Sequence, residues 1–484
     1  MIPKPFDPQT LLVILPEILL VALAALVMAL DVVWPASRRR ALGFIVAGGF
    51  GLIAVIALIF SRNAPDNPLV FGGMIRDDGV AFFFRMLFLF SGMIVALLSV
   101  DSPGVGSKGE YYALVIGAVI GMNFMASAAD LIMVYLSIET TSIALYLLAG
   151  FLRDNDKSAE SGLKYFLFGA FTSTIMLYGF SLLYGFTGKT NLYDLSAALL
   201  AGSVPVLPVL MALLLVLAGF GFKVSMVPFH FWSPDVYEGA PTPITAFISV
   251  ASKAAGFAVL VRVLLAVFPD VQGYWGPLLA VIAVFTMTIG NTLALAQRNI
   301  KRMLAYSSIA QAGYALIGLA ALSPSGIAAT IFYLLMYTVT NLITFGVIIL
   351  ASRVIGSDEI ADYAGLSRRS PGLALAFLIG FLSLGGMPPF AGFFAKFFIF
   401  TAAIQSGLIW LAVIGVLNSI VGLYYYLTVL KVVYLYRSER DSEPILVPRA
   451  YALALGLCAF GVILIGTVAT PWFTWASNAA KGLF

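Results

Sequence analysis

Residues 207–232 read LPVLMALLLVLAGFGFKVSMVPFHFW. The apolar run Leu207–Phe222 carries the chain into a bilayer, and Lys223, Pro228 and His230 then follow in close succession. Pro228 has no N–H to donate, and its ring clashes one turn back, near Val224. The carbonyls so freed need partners, and hydrocarbon supplies none outside protein or a wet cavity. An ammonium at that depth costs about 2.5–3.5 kcal/mol on insertion scales. A kinked packing helix with a paired lysine would explain one such liability. Three in one helix predict a broken membrane helix that handles charge.

The rest of the chain supports a membrane setting. Of 484 residues, 61% are hydrophobic and 10% charged, against about 25% charged in soluble domains. The composition predicts an all-α polytopic membrane protein with no room for a soluble domain and no nucleic-acid partner. A single cysteine, Cys458, excludes an intrachain disulfide and a cysteine-held cluster. A single histidine, His230, excludes bis-histidine haem. Redox chemistry is therefore expected in partner chains, and this chain is expected to bind no cofactor or metal. The first apolar stretch contains Ala22-Leu23-Ala24, which mimics a cleavage site. Its length and the basic residues after it predict an uncleaved first helix.

At about 20 apolar residues per crossing, about fourteen spans are expected: 10–34, 41–60, 79–100, 110–126, 130–152, 160–187, 205–232, 243–268, 274–297, 302–322, 325–352, 371–405, 408–436 and 449–470. Fifteen Lys and Arg, including Arg38–Arg40, Arg153, Lys157, Arg298, Lys301, Arg302, Arg368 and Arg369, fall on one side of this pattern. Five, Lys4, Arg62, Arg76, Lys189 and Lys481, fall on the other. The bias puts the first group in the cytoplasm and both termini outside. Met226-Val227-Pro228-Phe229 is echoed by Met387-Pro388-Pro389-Phe390. Each break is the fourth helix of a five-helix block, spans 4–8 and 9–13. An odd block inverts the next one, which is the arithmetic of an inverted repeat with discontinuous helices at the transport site. The expected division is a three-helix segment 1–109, half-channels 110–268 and 269–437, and a C-terminal helix in 438–484. Gly104–Gly109 matches a dinucleotide-binding glycine pattern, but it lies in a short loop with no strand before it.

Seven basic residues fall within spans. Arg262 and Lys431 lie near span ends and are expected to snorkel, and Arg85 to do the same. Lys164 lies near the start of span 6. Lys253 is about 12 Å into span 8 at 1.5 Å per residue, and Lys223 and Lys396 are also deep. Two acids are deep, Glu139 and Glu17, and Glu17 stands outside the repeats. Lysine can surrender a proton when desolvated, whereas arginine cannot. His230 titrates near neutrality when unperturbed. Glu139, Lys223, His230, Lys253 and Lys396 are therefore expected to form a proton wire in the bilayer midplane. The competing expectation is a scaffold bundle whose charges are structural pairs.

Lys223–His230, with its continuation SPDVYEGAPTPITAFISVASKAA (233–255), and NIKRMLAYSSIAQAGYALIGL (299–319) resemble the antiporter-like subunits of respiratory complex I. DYAGLSRRSP (362–371) and LSLGGMPPFAGFFAKFFIF (382–400) are similar to the N-type branch of that family, whose mitochondrial counterpart is NADH dehydrogenase subunit 2. The resemblance covers essentially the whole chain. It implies a subunit of the proton-translocating NADH:quinone oxidoreductase in a bacterial inner membrane. The partners implied are antiporter-like subunit M and small subunits such as K and J, with FMN and iron–sulfur clusters in other subunits. It implies that Glu139 is the fifth-helix glutamate and Lys223 the lysine of the first broken helix. Lys164 would be the sixth-helix lysine that modulates it, His230 and Lys253 the connecting relay, and Lys396 the terminal residue of the second broken helix. A lysine at 396 fits types N or L, and no long amphipathic helix follows span 14 as it would in type L. One departure stands out: span 10 has no deep acid answering Glu139. The alternative family member is a subunit of a multisubunit cation/proton antiporter of the Mrp type.

Overall fold

The structure, a computed structural model, describes residues 10–61, 69–201 and 204–483. Lys4 and Arg62, two of the outside cations, lie beyond the described residues. Apolar runs become helices because a backbone in hydrocarbon must satisfy its own N–H and C=O groups. In chain order these are α1 (Leu15–Val33), α2 (Ala41–Phe60), α3 (Gly79–Ser99), α4 (Gly109–Ser127), α5 (Leu131–Ala149), α6 (Asp156–Thr187), α7 (Val206–Val224), α8 (Trp232–Gly239) and α9 (Thr242–Val267). They continue as α10 (Gln272–Leu295), α11 (Ile300–Ala320), α12 (Pro324–Ile355), α13 (Pro371–Gly385), α14 (Ala391–Gln405), α15 (Ile409–Leu435), α16 (Arg449–Thr467) and α17 (Ala469–Lys481). Among the described residues thirteen helices are long and apolar enough to cross a membrane, and α13 and α14 are two shorter apolar helices on either side of the second break. Polar residues mark the starts. Asp78, Asp130, Asn155, Asn299 and Ser323 each accept a hydrogen bond from a first-turn backbone N–H, as N-caps do.

Burial sorts the helices. The apolar windows of α12, α11 and α9 are 100%, 94% and 89% buried, while that of α1 is 22% buried. The first three form the central axis. Outer helices such as α6 expose an apolar stripe, Leu163, Leu167 and Phe171, suited to lipid or a neighbouring subunit.

The two breaks are built alike. After α7, Ser225 takes a left-handed conformation (φ 61°), and the N–H groups of Ser225 and Met226 bond Phe222 O and Gly221 O. After α13, Gly386 does the same (φ 85°), and Gly386 and Met387 bond Ser383 O and Leu382 O. Both breaks then contain a cis X–Pro peptide, at Pro228 and at Pro389.

Two features depart from the sequence reading. An antiparallel hairpin pairs Leu69–Val70 with Ile75–Arg76. The C-terminal segment holds two helices where one was expected. The second, α17, is too short and polar to read as a span, and it turns back so that Phe473 stacks on Phe398 and Ala479 packs beside Gly79. Basic loops meet along one rim through ion pairs: Arg40–Asp101 (2.7 Å), Lys157–Glu238 (2.8 Å) and Lys301–Asp358 (2.7 Å).

Candidate functional site

Lys223 occupies the last turn of α7, just before the break, and is 3% exposed. Its ammonium donates to Ser142 Oγ at 2.9 Å. Ser142 lies one turn along α5 from Glu139, on the same face. Glu139 is half-buried and accepts a hydrogen bond from Ser173 of α6. Lys223 and Glu139 thus share a site, joined through Ser142's helix turn instead of a direct ion pair. Of the carbonyls at the first break, Phe222 O is reached by Trp232 Nε1 at 3.2 Å.

Lys253 follows a π-turn at Ile248–Ser252 in α9, a local widening often found at functional positions. It is 2% exposed and donates to Ser308 O (2.7 Å) and Ser308 Oγ (2.5 Å). That hydroxyl is a hub: Tyr337 donates to it at 2.8 Å, and the Tyr237 hydroxyl lies 3.1 Å away. Asn341 extends the network to Tyr337 (3.1 Å) and Ser249 (2.7 Å). His230 is buried in the segment between α7 and α8, its ring beside Phe231, and its Nδ1 finds no protein partner. No hydrogen bond joins it to Lys223 or Lys253 among the described residues.

Lys396 reaches back across the second break. Its ammonium donates to Gly385 O at 3.1 Å and lies 4.9 Å from the Tyr314 ring centre. Gly386 makes this crossing possible, because a Cβ there would sit 2.9 Å from Lys396 Cδ. Gln311 of α11 donates to the neighbouring Leu384 O (3.3 Å) and to Tyr426 OH (3.2 Å), and accepts from Tyr333. Ser307 Oγ lies 2.5 Å from the same Tyr426 hydroxyl. Ser307 and Ser308 are adjacent on α11, so this one helix carries the Lys253 hub on one face and the Lys396 group on the next.

The remaining charges divide differently from the sequence expectation. Arg85 does not snorkel: it is 2% exposed and pairs with Glu17 at 3.0 Å. Arg262 does not snorkel either. It is wholly buried, bidentate to Asp78 (2.8 and 2.9 Å) and bonded to Ala126 O. Both positions are close to helix ends in sequence, but each has a buried carboxylate within reach from another helix. Lys431 is exposed. Lys164 joins Glu160 and Asp235 (each 2.6 Å) in a half-exposed rim network, and Arg302 bridges Asp235 and Glu238. Lys164 lies about 13 Å along α6 from Ser173 at 1.5 Å per residue, so it is not placed beside Glu139. Sequence reading missed Ser308, Gln311, Tyr337, Asn341 and Tyr426. The signal available was the density of polar residues inside a span whose neighbours on both sides are apolar, as in YSSIAQ at 306–311.

What the arrangement can do follows from its partners. The two deep arginines are neutralised by carboxylates. Among the described residues the ammonium groups of the three deep lysines bond only hydroxyls and carbonyls, with a ring beside Lys396. A lysine held by neutral dipoles can exist charged or neutral, and the hydroxyl and amide groups around it can reorient to either form. No group of three metal-ligating side chains occurs among the described residues.

Residues 128–422 match the family described as NADH:quinone oxidoreductase/Mrp antiporter, TM. A curated relative from Chloroherpeton thalassium, NADH-quinone oxidoreductase subunit N 2, is 43% identical over 96% of this chain and 94% of its own. The structure of respiratory complex I from Thermus thermophilus with bound aureothin contains a chain 32% identical, with a TM-score of 0.79 over 95% of this chain and 98% of that one. A chain of the Mrp complex from Dietzia shares the fold at 23% identity, with a TM-score of 0.87 over 99% of this chain and 98% of that one. With its broken helices, its buried lysine row and this similarity over nearly its whole length, the chain belongs to the membrane-subunit family of NADH:quinone oxidoreductase and the Mrp antiporter.

Proposed function

We propose that this chain is a membrane-arm subunit of a proton-translocating NADH:quinone oxidoreductase and moves protons along the row Glu139, Lys223, Lys253 and Lys396. The observation that carries the reading is the unpaired state of the lysines. Lys223, Lys253 and Lys396 are buried and have no ion pair among the described residues, whereas Arg85 and Arg262 are each matched by an acid. A buried charge kept for structure is paired, because an unpaired one costs several kcal/mol. A buried group kept for proton transfer must be able to exist uncharged.

In this reading electron transfer from NADH to quinone, with its FMN and iron–sulfur clusters, belongs to partner subunits, with M-, K- and J-type chains adjoining this one in a bacterial inner membrane. The two alike breaks mark inverted half-channels, the basic rim faces the cytoplasm, and both termini lie outside. Ser142, Ser308 and Gln311 orient the lysines and their neighbours. His230, buried with a free ring nitrogen, can take or give a proton between the first break and Lys253. Lys164 acts from the rim through Asp235. An Mrp-type antiporter shares the fold, but the relative at 43% identity is named as a quinone oxidoreductase subunit.

The test is NADH-driven proton uptake by membrane vesicles carrying Lys253→Met, normalised to assembled complex. Loss of uptake with normal subunit content is expected. Wild-type uptake would overturn the lysine row as the proton path.

A further inference from the structure

Lys396 differs from the other two lysines in having an aromatic face over its ammonium. Among the described residues Lys223 and Lys253 have no ring in that position. The Tyr314 ring, 4.9 Å away, attracts a cation through its negative face. Tyr314 is 2% exposed, and its hydroxyl accepts from Asn291 Nδ2 at 3.2 Å. Asn291, on α10, is 1% exposed. The same amide nitrogen reaches Asn418 O and Oδ1 on α15, both at 3.2 Å, and its carbonyl accepts from Tyr425 at 3.1 Å. One side chain therefore ties α10, α11 and α15 together behind Lys396. A buried amide is costly unless every group is matched, and an apolar residue would join these helices more cheaply. Its chemistry is better suited to aiming the ring.

We propose that Asn291 is a positioning residue for Lys396: it holds the Tyr314 hydroxyl so that the ring stays over the ammonium, and the ring retains the proton at the second break. The inference rests on the reading of Lys396 as a proton carrier.

The experiment compares Asn291→Leu, Tyr314→Phe, the double variant and Lys396→Ala in vesicles containing the assembled enzyme. It reads protons taken up per NADH oxidised. Asn291→Leu and Tyr314→Phe each delete the same hydrogen bond and free the ring to turn off the ammonium, so each should lower the ratio in part, short of the complete loss expected of Lys396→Ala, because a ring remains at 314. The double variant should be no worse than either single one, because coupled deletions do not add. A merely structural Asn291 would instead lower assembly, and its effect would add to that of Tyr314→Phe. If Asn291→Leu fails to assemble, Tyr314→Phe decides, since it leaves the tie between α10 and α15 in place. Wild-type uptake in Tyr314→Phe, or additive effects in the double variant, overturns the proposal while Lys396→Ala still abolishes uptake. Wild-type uptake in Lys396→Ala overturns the carrier reading beneath it.

Discussion

Lys223→Met and Arg262→Met, made side by side, separate a carrier from a strut. Arg262 makes two bonds to Asp78 (2.8 and 2.9 Å) and two to Ala126 O (3.1 and 2.7 Å). Methionine there leaves the Asp78 carboxylate buried with only Arg76 at 3.1 Å and the Ala81 N–H at 2.9 Å. Breaking a buried pair costs about 3–5 kcal/mol, and the remaining Arg76 places this case toward the lower end. Lys223 makes one bond, 2.9 Å to Ser142, worth about 1.5–3 kcal/mol for a charged donor, which the cost of burying the ammonium offsets. Its removal strands no directly paired carboxylate, and methionine refills most of the volume while relieving the desolvation of an ammonium. The expected change is within about 1 kcal/mol. Arg262→Met should therefore reduce assembled complex and lower the midpoint of thermal unfolding. Lys223→Met should assemble normally and lose NADH-driven proton uptake. Subunit content, thermal unfolding in detergent and vesicle proton uptake are measured for both. A poorly assembled Lys223→Met whose surviving complex pumps at the wild-type rate would refute the distinction.

Ser308→Ala removes the hydroxyl shared by Lys253, Tyr237 and Tyr337, and should slow proton uptake while costing about 1–3 kcal/mol in thermal stability through the polar groups left unmatched; unchanged uptake would remove Ser308 from the path. Asp77, in the loop before α3, has its carboxyl pushed by burial from an ordinary 3.8 up to about 6, against the pull of Arg85. A carboxyl raised on folding contributes stability that is present below 3.8 and lost as the pH rises through about 6. Asp77→Asn should therefore stabilise the fold at pH 7.5, by at most about 3 kcal/mol at about 1.4 kcal/mol per pH unit, seen as a higher unfolding midpoint, with the difference gone below about pH 4; a constant difference across that range would contradict the assignment. In a Cys458→Ser background, Arg298→Cys should react with an impermeant thiol reagent only from the cytoplasm and Lys189→Cys only from outside, and the reverse pattern would invert the proposed orientation.

The spans and the breaks were legible because each rests on a local rule. Apolar length marks a crossing, and Met-x-Pro-Phe after a deep apolar run marks a helix that cannot continue. The starts were read less well: the caps Asn155 and Asn299 open helices at Asp156 and Ile300, before the expected 160 and 302, because polar first turns hide them from an apolar count. What sequence could not supply was pairing at a distance. Arg262 and Asp78 are 184 residues apart, and Arg85 and Glu17 are 68 apart. By position alone both arginines read as snorkelling cations. Ser308 and Gln311 were missed for another reason. The polar density of YSSIAQ marks the stretch but not a role, because the meaning of each Ser and Gln depends on which lysine folds against it. Helix α17 was missed because it is amphipathic: Ala476, Ala479 and Ala480 are buried, but no run of apolar residues announces them.

The missing acid in span 10 acquires a physical sense from the second break. At the first break Lys223 has the Glu139 carboxylate within the same polar site, through Ser142's helix turn. At the second, the polar residue that reaches the break from α11 is the neutral Gln311, and Lys396 rests on the Gly385 carbonyl and the Tyr314 ring. Carbonyl and ring present fixed dipoles that do not titrate. Under the carrier reading the two lysines are therefore not equivalent. The hold on a proton at Lys223 depends on how near the Glu139 carboxylate lies, so it can be switched by whatever moves that group. The hold at Lys396 is set by geometry and changes only if the second break moves. A row with a switchable first site and a fixed last site has a direction built into it, and Glu139→Gln should remove the switch while leaving the Lys396 seat intact.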